Sequence, residues 1–312
     1  MNIAFIGAGQ VFHLYAATWM KFAPAGSGFM VVEPDDKAAI AACRRFEGLM
    51  LMGSVERAIP HINLAVVMTP SYIRRAVCEP FIERGIPIAV EKPLAINWDE
   101  IDWFEANADK WICPIVQARH LSKIRNMKRR FPDFHECFAW KDRERDAAYY
   151  SGWHGKFATD GGVLAQQGFH CLDLACWFGG PVDTVQAWGA KLKHAIECED
   201  TAQVALAFAN GKTGYVQCTT AGPEGSAGFS LWDSVDNQLA GTEAPGFQNG
   251  VSGHARLAKA VYKALAEGGS PPATVGSMIP SLRTLHACYV SMDRNGERVE
   301  VGARHPRLGV PV

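Results

Sequence analysis

Short apolar segments alternate with helical patterns through the first 120 residues, and this alternation constrains the fold more than any other feature of the chain. The predicted strands cover residues 2–6, 28–32, 64–68, 86–90 and 112–117, and the predicted helices cover 11–22, 36–50, 72–84 and 98–110. Parallel strands require crossover connections, and strands buried on both faces are apolar almost throughout. The pattern therefore predicts an α/β Rossmann domain with a doubly wound parallel sheet.

The pattern changes after about residue 120. The predicted elements there are a long helix at 162–178, strands at 182–192, 202–209 and 213–220, helices at 254–267 and 279–292, and a closing strand at 298–301. Asn210-Gly211 is a hairpin signal, and residues 221–252 are rich in loop-forming residues, with room for one or two short strands. We therefore expect a Rossmann domain at 1–119 and an α+β domain with a large open antiparallel sheet at 120–312.

Composition excludes several classes of function. Lys and Arg number 31 and Asp and Glu 32, so the net charge of -1 gives no sign of nucleic-acid or acidic-membrane binding. The apolar runs are too short to span a membrane, and the N-terminus lacks the basic region of a signal peptide. The 9 scattered cysteines indicate reduced thiols in a cytoplasmic protein, and the 10 histidines lack metal-ligand spacing, so no metal site is expected.

Gly7-Ala8-Gly9 directly follows the first predicted strand and opens the first helix. The first glycine permits a tight turn, and the second lets backbone amides approach a pyrophosphate at the helix N-terminus. Phe12 occupies the position of the usual third glycine, so the fingerprint is incomplete. Gly7 and Gly9, with Gln10 and Val11, are predicted to bind a dinucleotide.

Glu33 ends the second predicted strand, about where an acidic residue binds the adenine ribose hydroxyls of NAD. A carboxylate at this position repels the 2′-phosphate of NADP, so NAD is the expected cofactor. Lys37 would soften that preference, which leaves NADP open.

Four segments carry a family resemblance. They are residues 66–71 (VVMTPS), 90–95 (VEKPLA), 160–173 (DGGVLAQQGFHCLD) and 199–211. Together they resemble the glucose–fructose oxidoreductase/inositol dehydrogenase (Gfo/Idh/MocA) family over essentially the whole chain. Within that family, residues 149–155 and 167–170 are most similar to the nucleotide-sugar 3-dehydrogenases that act on UDP-N-acetylhexosamines and their uronates.

The resemblance implies NAD(P)-dependent oxidation of a sugar or cyclitol hydroxyl, or the reverse reduction. It also implies a homo-oligomer, dimer or tetramer, formed through the open sheet, and cofactor contacts from Thr69, Pro70, Glu91 and Lys92. The chain departs from the family where many members have Asp: Gln166 stands there, and an amide cannot exchange a proton. The loop that begins at Thr69 also departs, since it continues as Ser-Tyr rather than Asn-His.

Lys92 and His170 are the candidate catalytic residues. Lys92 follows a buried strand at its C-terminal end, where ligands of open α/β sheets bind, and its ammonium can stabilise a developing alkoxide. In the predicted helix 162–178, Gln166, His170 and Asp173 share the one polar stripe. His170 is the second candidate for general base, with Asp173 to orient its ring or favour its protonated form. The residues leave open which of the two accepts the proton.

A basic and aromatic cluster precedes that helix. Its members are Arg143, Tyr149, Tyr150, Trp153, His154 and Lys156. Aromatic faces stack on sugars or bases, and cations hold phosphate or carboxylate, so Tyr149, Trp153 and Lys156 are predicted substrate contacts. Arg119, Gln166, Gln167 and His170 complete the predicted set. Arg74-Arg75 and residues 128–130 are instead expected on solvated helix faces.

Three functions remain open from the sequence. The first is an NAD(P)-dependent dehydrogenase of a nucleotide-linked sugar, and the second is a dehydrogenase of a free sugar, an inositol or a diol. The third is a non-catalytic NAD-binding sensor. Lys92 and His170 favour an enzyme, whereas Gln166 favours the sensor.

Overall fold

The first half of the chain forms a six-stranded parallel sheet in the computed structural model, which describes residues 1–222, 225–233, 237–243 and 251–310. Its strands are β1 (Asn2–Ile6), β2 (Gly28–Val32), β3 (Leu49–Met52), β4 (Leu64–Val67), β5 (Ile88–Glu91) and β6 (Ile112–Ile115). Their order is β3-β2-β1-β4-β5-β6, and every neighbouring pair is parallel. The predicted Rossmann sheet is confirmed.

Helices connect these strands. They are α1 (Phe12–Phe22), α2 (Asp36–Arg45), α3 (Val55–Ala58), α4 (Arg74–Glu83) and α5 (Trp98–Ala106). The prediction of one helix over 36–50 is wrong at its end, because α2 stops at Arg45 and the chain turns into β3. Gly48 has φ +77, which a glycine adopts at little cost, and Met50 and Leu51 lie exposed on the edge strand. The apolar run that resembled a helix face is therefore a sheet edge.

The second half forms a seven-stranded sheet. Its strands are β7 (Glu136–Asp142), β8 (Val182–Ala190), β9 (Thr201–Phe208), β10 (Thr213–Thr219), β11 (Ala227–Trp232), β12 (Gln238–Glu243) and β13 (Val299–Glu300). The order is β12-β11-β7-β10-β9-β8-β13, and β7 runs parallel to β10 while the other pairs are antiparallel. The sheet is therefore mixed rather than wholly antiparallel. The hairpin at Asn210-Gly211 joins β9 to β10 as predicted, and the loop prediction for 221–252 lies partly outside the described residues.

Strand β7 was not predicted, because its pattern inverts the usual one. Phe138 and Trp140 lie on the more exposed face of the strand, while Cys137, Ala139 and Lys141 are buried. A lysine on the inner face and aromatic residues on the outer face conceal the alternation that normally marks a half-buried strand.

The helix predicted at 162–178 is two helices, α7 (Val163–Gln166) and α8 (Phe169–Gly179). Gly168 lies at the break, and its amide donates to the carbonyl of Val163 at 2.8 Å. A Cβ on Gly168 would lie 2.5 Å from Cys218 Sγ and 2.9 Å from Leu164 Cα. This close approach to β10 requires glycine, and it gives α7 and α8 separate directions.

Three further helices are α6 (Ser122–Arg130), α9 (Val251–Ala266) and α10 (Ile279–Asp293). Although α9 comes late in the chain, it packs against α1 of the Rossmann half. The Tyr262 hydroxyl donates to the backbone oxygen of Trp19 at 2.9 Å, and the two rings meet edge to face. A segment from the second half therefore covers one face of the first.

A buried ion pair joins the end of the Rossmann half to α8. Arg119 Nε donates to Asp173 Oδ2 at 2.8 Å and Nη2 to Oδ1 at 2.5 Å, with both side chains at most 5% exposed. Ser277 and Ser281, from the α10 region, complete the hydrogen bonds. In the structure Asp173 and Arg119 are each other's partner. The role of Asp173 toward His170 and that of Arg119 toward substrate stay predictions.

We predict that Asp173→Ala lowers the free energy of unfolding by about 3–5 kcal/mol, because it leaves a buried guanidinium without its partner. Urea denaturation measures the change. Asp99→Ala is the control, since Asp99 pairs with Arg304 at the exposed surface, where such a pair contributes about 0–1 kcal/mol. An equal decrease in the free energy of unfolding of the two variants would contradict the structural role of the buried pair.

Candidate functional site

The turn between β1 and α1 has the shape of a phosphate cradle. Gly7 has φ +95, and its position is packed against the backbone of Met68. Gly9 faces open space, with no atom within 4 Å of a Cβ built there, and Gln10 and Val11 are exposed. No side chain caps the first turn of α1, so backbone N–H groups at a helix N-terminus face the opening. The turn fits the pyrophosphate of a dinucleotide.

Phe12 fills the position at which the third glycine is missing. Its ring is fully buried and meets the rings of Phe5 and Phe46 edge to face, with centroids 6.0 and 5.7 Å apart. Packing of an aromatic side chain therefore replaces the close helix–strand contact that a glycine allows.

Glu33 is held at the end of β2, beside the glycine turn. Its carboxylate accepts hydrogen bonds from Ala8 N at 2.6 Å and from Asp35 N at 2.9 Å. Two backbone donors fix the negative charge where a ribose would meet the sheet, and the remaining lone pairs can accept from ribose hydroxyls.

Four buried polar atoms around the C-terminal edge of the Rossmann sheet have no hydrogen-bond partner among the described residues. They are Thr69 Oγ1, Glu91 Oε2, Gln117 Oε1 and His254 Nδ1. Burying such atoms without a partner costs about 1–3 kcal/mol each. A ribose and a carboxamide supply both donors and acceptors, so these residues fit the nicotinamide half of NAD.

Arg74 was expected on a solvated helix face, and that expectation is wrong. Its side chain is 4% exposed, and Nη2 donates to Thr69 O at 2.5 Å while Nη1 donates to Pro93 O. Burial lowers the pKa of Arg74, and the carboxylate of Glu91 opposes that shift. Arg74 thus ties the Thr-Pro loop to the Glu-Lys-Pro loop. The sequence signal that could have identified this role is the position of Arg74 shortly after the Thr-Pro motif.

Lys92 lies at the end of β5, half-buried, and its Nζ donates to the backbone oxygen of Gln166 at 2.9 Å. Burial lowers the pKa of Lys92, while the nearby carboxylates of Glu91 and Asp160 act to raise it. The lysine therefore spans the space between the Rossmann sheet and α7, with its proton held less tightly than that of an exposed lysine.

His170, on the first turn of α8, shares this space. Burial lowers the pKa of His170 well below its ordinary value, and the positive charges of Lys141 and Lys92 lower it further. Its imidazole is therefore neutral at neutral pH, which is the form that accepts a proton. The structure brings Lys92 and His170 close enough for one to act electrostatically on the other.

Lys141 is a residue that the sequence analysis missed. It is 4% exposed on the inner face of β7. Burial lowers its pKa to about 7, and Lys92 contributes to the shift. Because β7 was not predicted, nothing in the sequence placed Lys141 on an inner face beside Lys92 and His170.

The aromatic cluster is partly assembled as predicted. Tyr149 stacks on His154 with centroids 4.0 Å apart, Trp153 covers His154 at 3.7 Å, and the Arg145 guanidinium lies over Tyr149 at 4.4 Å. Lys156, in contrast, is exposed at the surface. The predicted aromatic contacts therefore lie together, while Lys156 projects away from them into solvent.

Gln166 and Gln167 were predicted to touch the substrate. The side chain of Gln166 is instead bound within the protein, because its Nε2 donates to Asp160 and its Oε1 accepts from the Tyr149 hydroxyl at 2.7 Å. The substrate contact of Gln166 stays a prediction. Gln167 lies half-buried at the break between α7 and α8.

Within the described part of the chain, no helix is both long and apolar enough to cross a bilayer. The same residues contain no cluster of three or more His, Cys, Asp or Glu side chains arranged to hold a metal ion. All nine cysteines are free, and all but Cys43 are buried.

Two family profiles match the sequence. Residues 1–113 match the oxidoreductase family with an NAD-binding Rossmann fold, and residues 132–243 match the GFO/IDH/MocA C-terminal domain. Together they cover most of the chain. The protein belongs to the GFO/IDH/MocA oxidoreductase family, and NAD is its cofactor.

Among curated proteins, the putative UDP-kanosamine synthase oxidoreductase subunit of Amycolatopsis mediterranei is 28% identical over 135 residues, which is 41% of this chain and 37% of that protein. Among solved structures, the WlbA dehydrogenase of Chromobacterium violaceum, in complex with NADH and UDP-GlcNAcA, is 24% identical with TM-score 0.83, covering 96% of this chain and 95% of that one. Levoglucosan dehydrogenase, with NADH and levoglucosan, is 19% identical with TM-score 0.82, covering 97% and 99%. At these identities the structures show the shared fold alone.

We predict that the protein binds NAD more tightly than NADP, and that Glu33→Gln narrows the difference about tenfold, which corresponds to about 1.4 kcal/mol. The amide keeps the size of the side chain and removes the charge that repels a 2′-phosphate. Its single carbonyl oxygen can accept from only one of the two backbone donors, Ala8 N or Asp35 N, which the two carboxylate oxygens of Glu33 accept separately. Calorimetry with both cofactors measures the ratio. Tighter binding of NADP by the unmodified protein would refute the role given to Glu33.

Proposed function

We propose that the protein is an NAD-dependent dehydrogenase that oxidises a sugar hydroxyl, with a nucleotide-linked N-acetylhexosamine or its uronate as the favoured substrate. One observation supports the proposal: Lys92 follows the C-terminal end of β5, and its positive charge is near enough to His170 to help lower the pKa of that imidazole. Ligands of open α/β sheets bind at this edge, so the two acid–base groups would act beside the nicotinamide of bound NAD.

Each group has a distinct part in the proposed reaction. Bound NAD supplies the hydride acceptor. His170, neutral at neutral pH, is suited to accept the hydroxyl proton, and Lys92 is suited to donate a hydrogen bond to the oxygen as negative charge develops on it. A neutral Lys92 would also accept the proton directly, so the geometry is compatible with either order of proton transfer.

The preference for an anionic, nucleotide-linked sugar rests on charge and on aromatic surface. Lys141, Arg143 and Arg145 all lie near enough to Lys92 or His170 to influence the pKa of one or both. Such a concentration of cations suits a phosphate or carboxylate. The Trp153 ring offers a face on which a sugar or base can stack.

A panel of substrates tests the proposal. The protein is incubated with NAD and with nucleotide sugars, free sugars, inositols or diols, and NADH formation is followed by absorbance. Turnover of nucleotide sugars supports the proposal, whereas turnover of free sugars alone moves the assignment to the second substrate class. Silence across the panel, with NAD binding intact, would support a sensor and reject the proposed enzyme.

We predict that Lys92→Met and His170→Ala each lower kcat on the identified substrate by about 100-fold or more, because each removes an acid–base group. The dissociation constant for NAD is expected to stay nearly unchanged in both. Lys123→Met, an exposed lysine on α6, is the matched control and should retain full activity. Near-normal rates in both variants would reject their catalytic role.

We further propose that the outer face of the seven-stranded sheet joins two copies of the chain. Two cross-strand rows expose aromatic side chains there: Phe138 pairs in register with Tyr215, which is 43% exposed, and the Trp140 row ends at Trp188, which is 47% exposed. Aromatic residues exposed in rows on one sheet face are typical of a surface that is covered in the assembled protein.

Tyr215→Glu is expected to convert a dimer or tetramer into smaller species, because it buries a charge in that interface. Light scattering coupled to size exclusion measures the mass. Leu51→Glu, an exposed apolar residue on the other sheet, is the control and should leave the mass unchanged. A monomeric unmodified protein would contradict the proposal.

A further inference from the structure

A chain of hydrogen bonds lies directly behind Lys92, formed by side chains to which the proposed reaction gives no part. His154 Nδ1 lies 2.6 Å from Asp160 Oδ2, and the same carboxylate oxygen accepts from Gln166 Nε2. The other polar atom of Gln166 accepts from the Tyr149 hydroxyl at 2.7 Å. Asp160 and Gln166 are both buried. Both polar atoms of the Gln166 amide are therefore held.

The position of Gln166 determines that of Lys92. Gln166 is the last residue of α7, and its backbone oxygen accepts from Lys92 Nζ, as lysines often donate to the final carbonyls of a helix. The other end of α7 is held by Glu199, which accepts from Val163 N at 2.9 Å and from Leu164 N at 3.0 Å. Because α7 is anchored at both ends, the carbonyl that holds Lys92 has little freedom.

His154 is itself fixed. Tyr149 stacks on one face of its ring at an interplanar angle of 11°, and Trp153 covers the ring at 34°. This packing keeps Nδ1 pointed at Asp160. A carboxylate that accepts two donors on one oxygen in a buried site is strongly oriented, because low local polarity strengthens its hydrogen bonds.

Charge gives the same network a second effect on Lys92. The charged and titratable groups around Lys92 come from several packed elements and are Arg74, Glu91, Lys141, Arg145, Asp160, His170 and His254. Only Glu91 and Asp160 in this set are acidic. Asp160 is therefore one of two carboxylates that oppose a majority of cationic or protonatable groups.

We propose that the His154–Asp160 pair positions Lys92. The pair fixes the side chain of Gln166, whose backbone oxygen accepts a hydrogen bond from the Lys92 amine. It also supplies a negative charge near Lys92, which the amide side chain at position 166 does not. This inference rests on the proposed function in one respect: the proposed function gives Lys92 a part in proton transfer. The pair touches neither substrate nor cofactor in this role, and it acts through Gln166 and through its field.

The charge effect has a definite sign. Asp160 acts to raise the pKa of Lys92, so Asp160→Asn should lower that pKa and extend the neutral amine to lower pH. Gln166→Glu places a second carboxylate in contact with Asp160, where the two share a proton, so it should raise the pKa of Lys92 by less than Asp160→Asn lowers it. The double variant Asp160→Asn/Gln166→Glu exchanges acid and amide without changing their number or size. The amide nitrogen introduced at position 160 can then donate to the carboxylate introduced at position 166, with His154 Nδ1 as an acceptor in its other tautomer, and the pKa of Lys92 should return close to its original value.

Trace acetylation of the NAD-loaded protein measures this without any substrate. Mass spectrometry follows the labelling of Lys92 against pH in the unmodified protein and the three variants, with Lys123 as the exposed internal control. We expect the midpoint for Lys92 to fall by about one pH unit in Asp160→Asn, to rise by a smaller amount in Gln166→Glu, and to return in the double variant. In the pH profile of kcat/KM, the midpoint of the rise on the acidic side should move in the same directions.

The outcomes separate this inference from the proposed function. An unchanged Lys92 midpoint in both single variants, or a double variant that folds normally but does not restore it, overturns the inference even if a sugar is oxidised. Shifted midpoints in a protein that oxidises nothing in the panel support the inference and reject the proposed function. Should Asp160→Asn fail to fold, Gln166→Glu and the double variant still decide the question.

Discussion

The arrangement of the candidate site depends on a contact that neither Lys92 nor His170 makes. Arg119 follows the last strand of the Rossmann sheet, and Asp173 lies one turn beyond His170 on α8. Two buried charges are costly unless every hydrogen bond is satisfied, and here serines from the α10 region complete the set. The pair thus fixes α8 relative to the Rossmann sheet. The distance between the amine and the imidazole follows from it.

Crowding of positive charge is the second constraint on the site. Lys92, Lys141 and His170 are each partly or fully withdrawn from water. Lys92 makes protonation of Lys141 less favourable, and both lysines make protonation of His170 less favourable. Groups that hold protons weakly at neutral pH are suited to exchange them during a reaction. In the proposed function the same cations would also attract an anionic substrate, so acid–base chemistry and substrate selection would have a common physical origin.

Much of the Rossmann half was predictable, because buried parallel strands and the Gly7-Ala8-Gly9 turn are local patterns. The break at Gly168 was not, since it depends on how closely β10 approaches the helix. The burial of Arg74 and Lys141 was not predicted for a related reason: the local sequence suggests solvated side chains, and only tertiary contacts bury them. Residue type identified Lys92 and His170, but the partners of Asp173 lie far along the chain and leave no local signal.

The packing of α9 against α1 bears on the order in which the molecule matures. Tyr262 reaches the backbone of Trp19 across 243 positions, so one face of the nucleotide-binding half stays uncovered until the ribosome has made α9. A nascent N-terminal half would expose the apolar surface of α1, which is an aggregation hazard during synthesis.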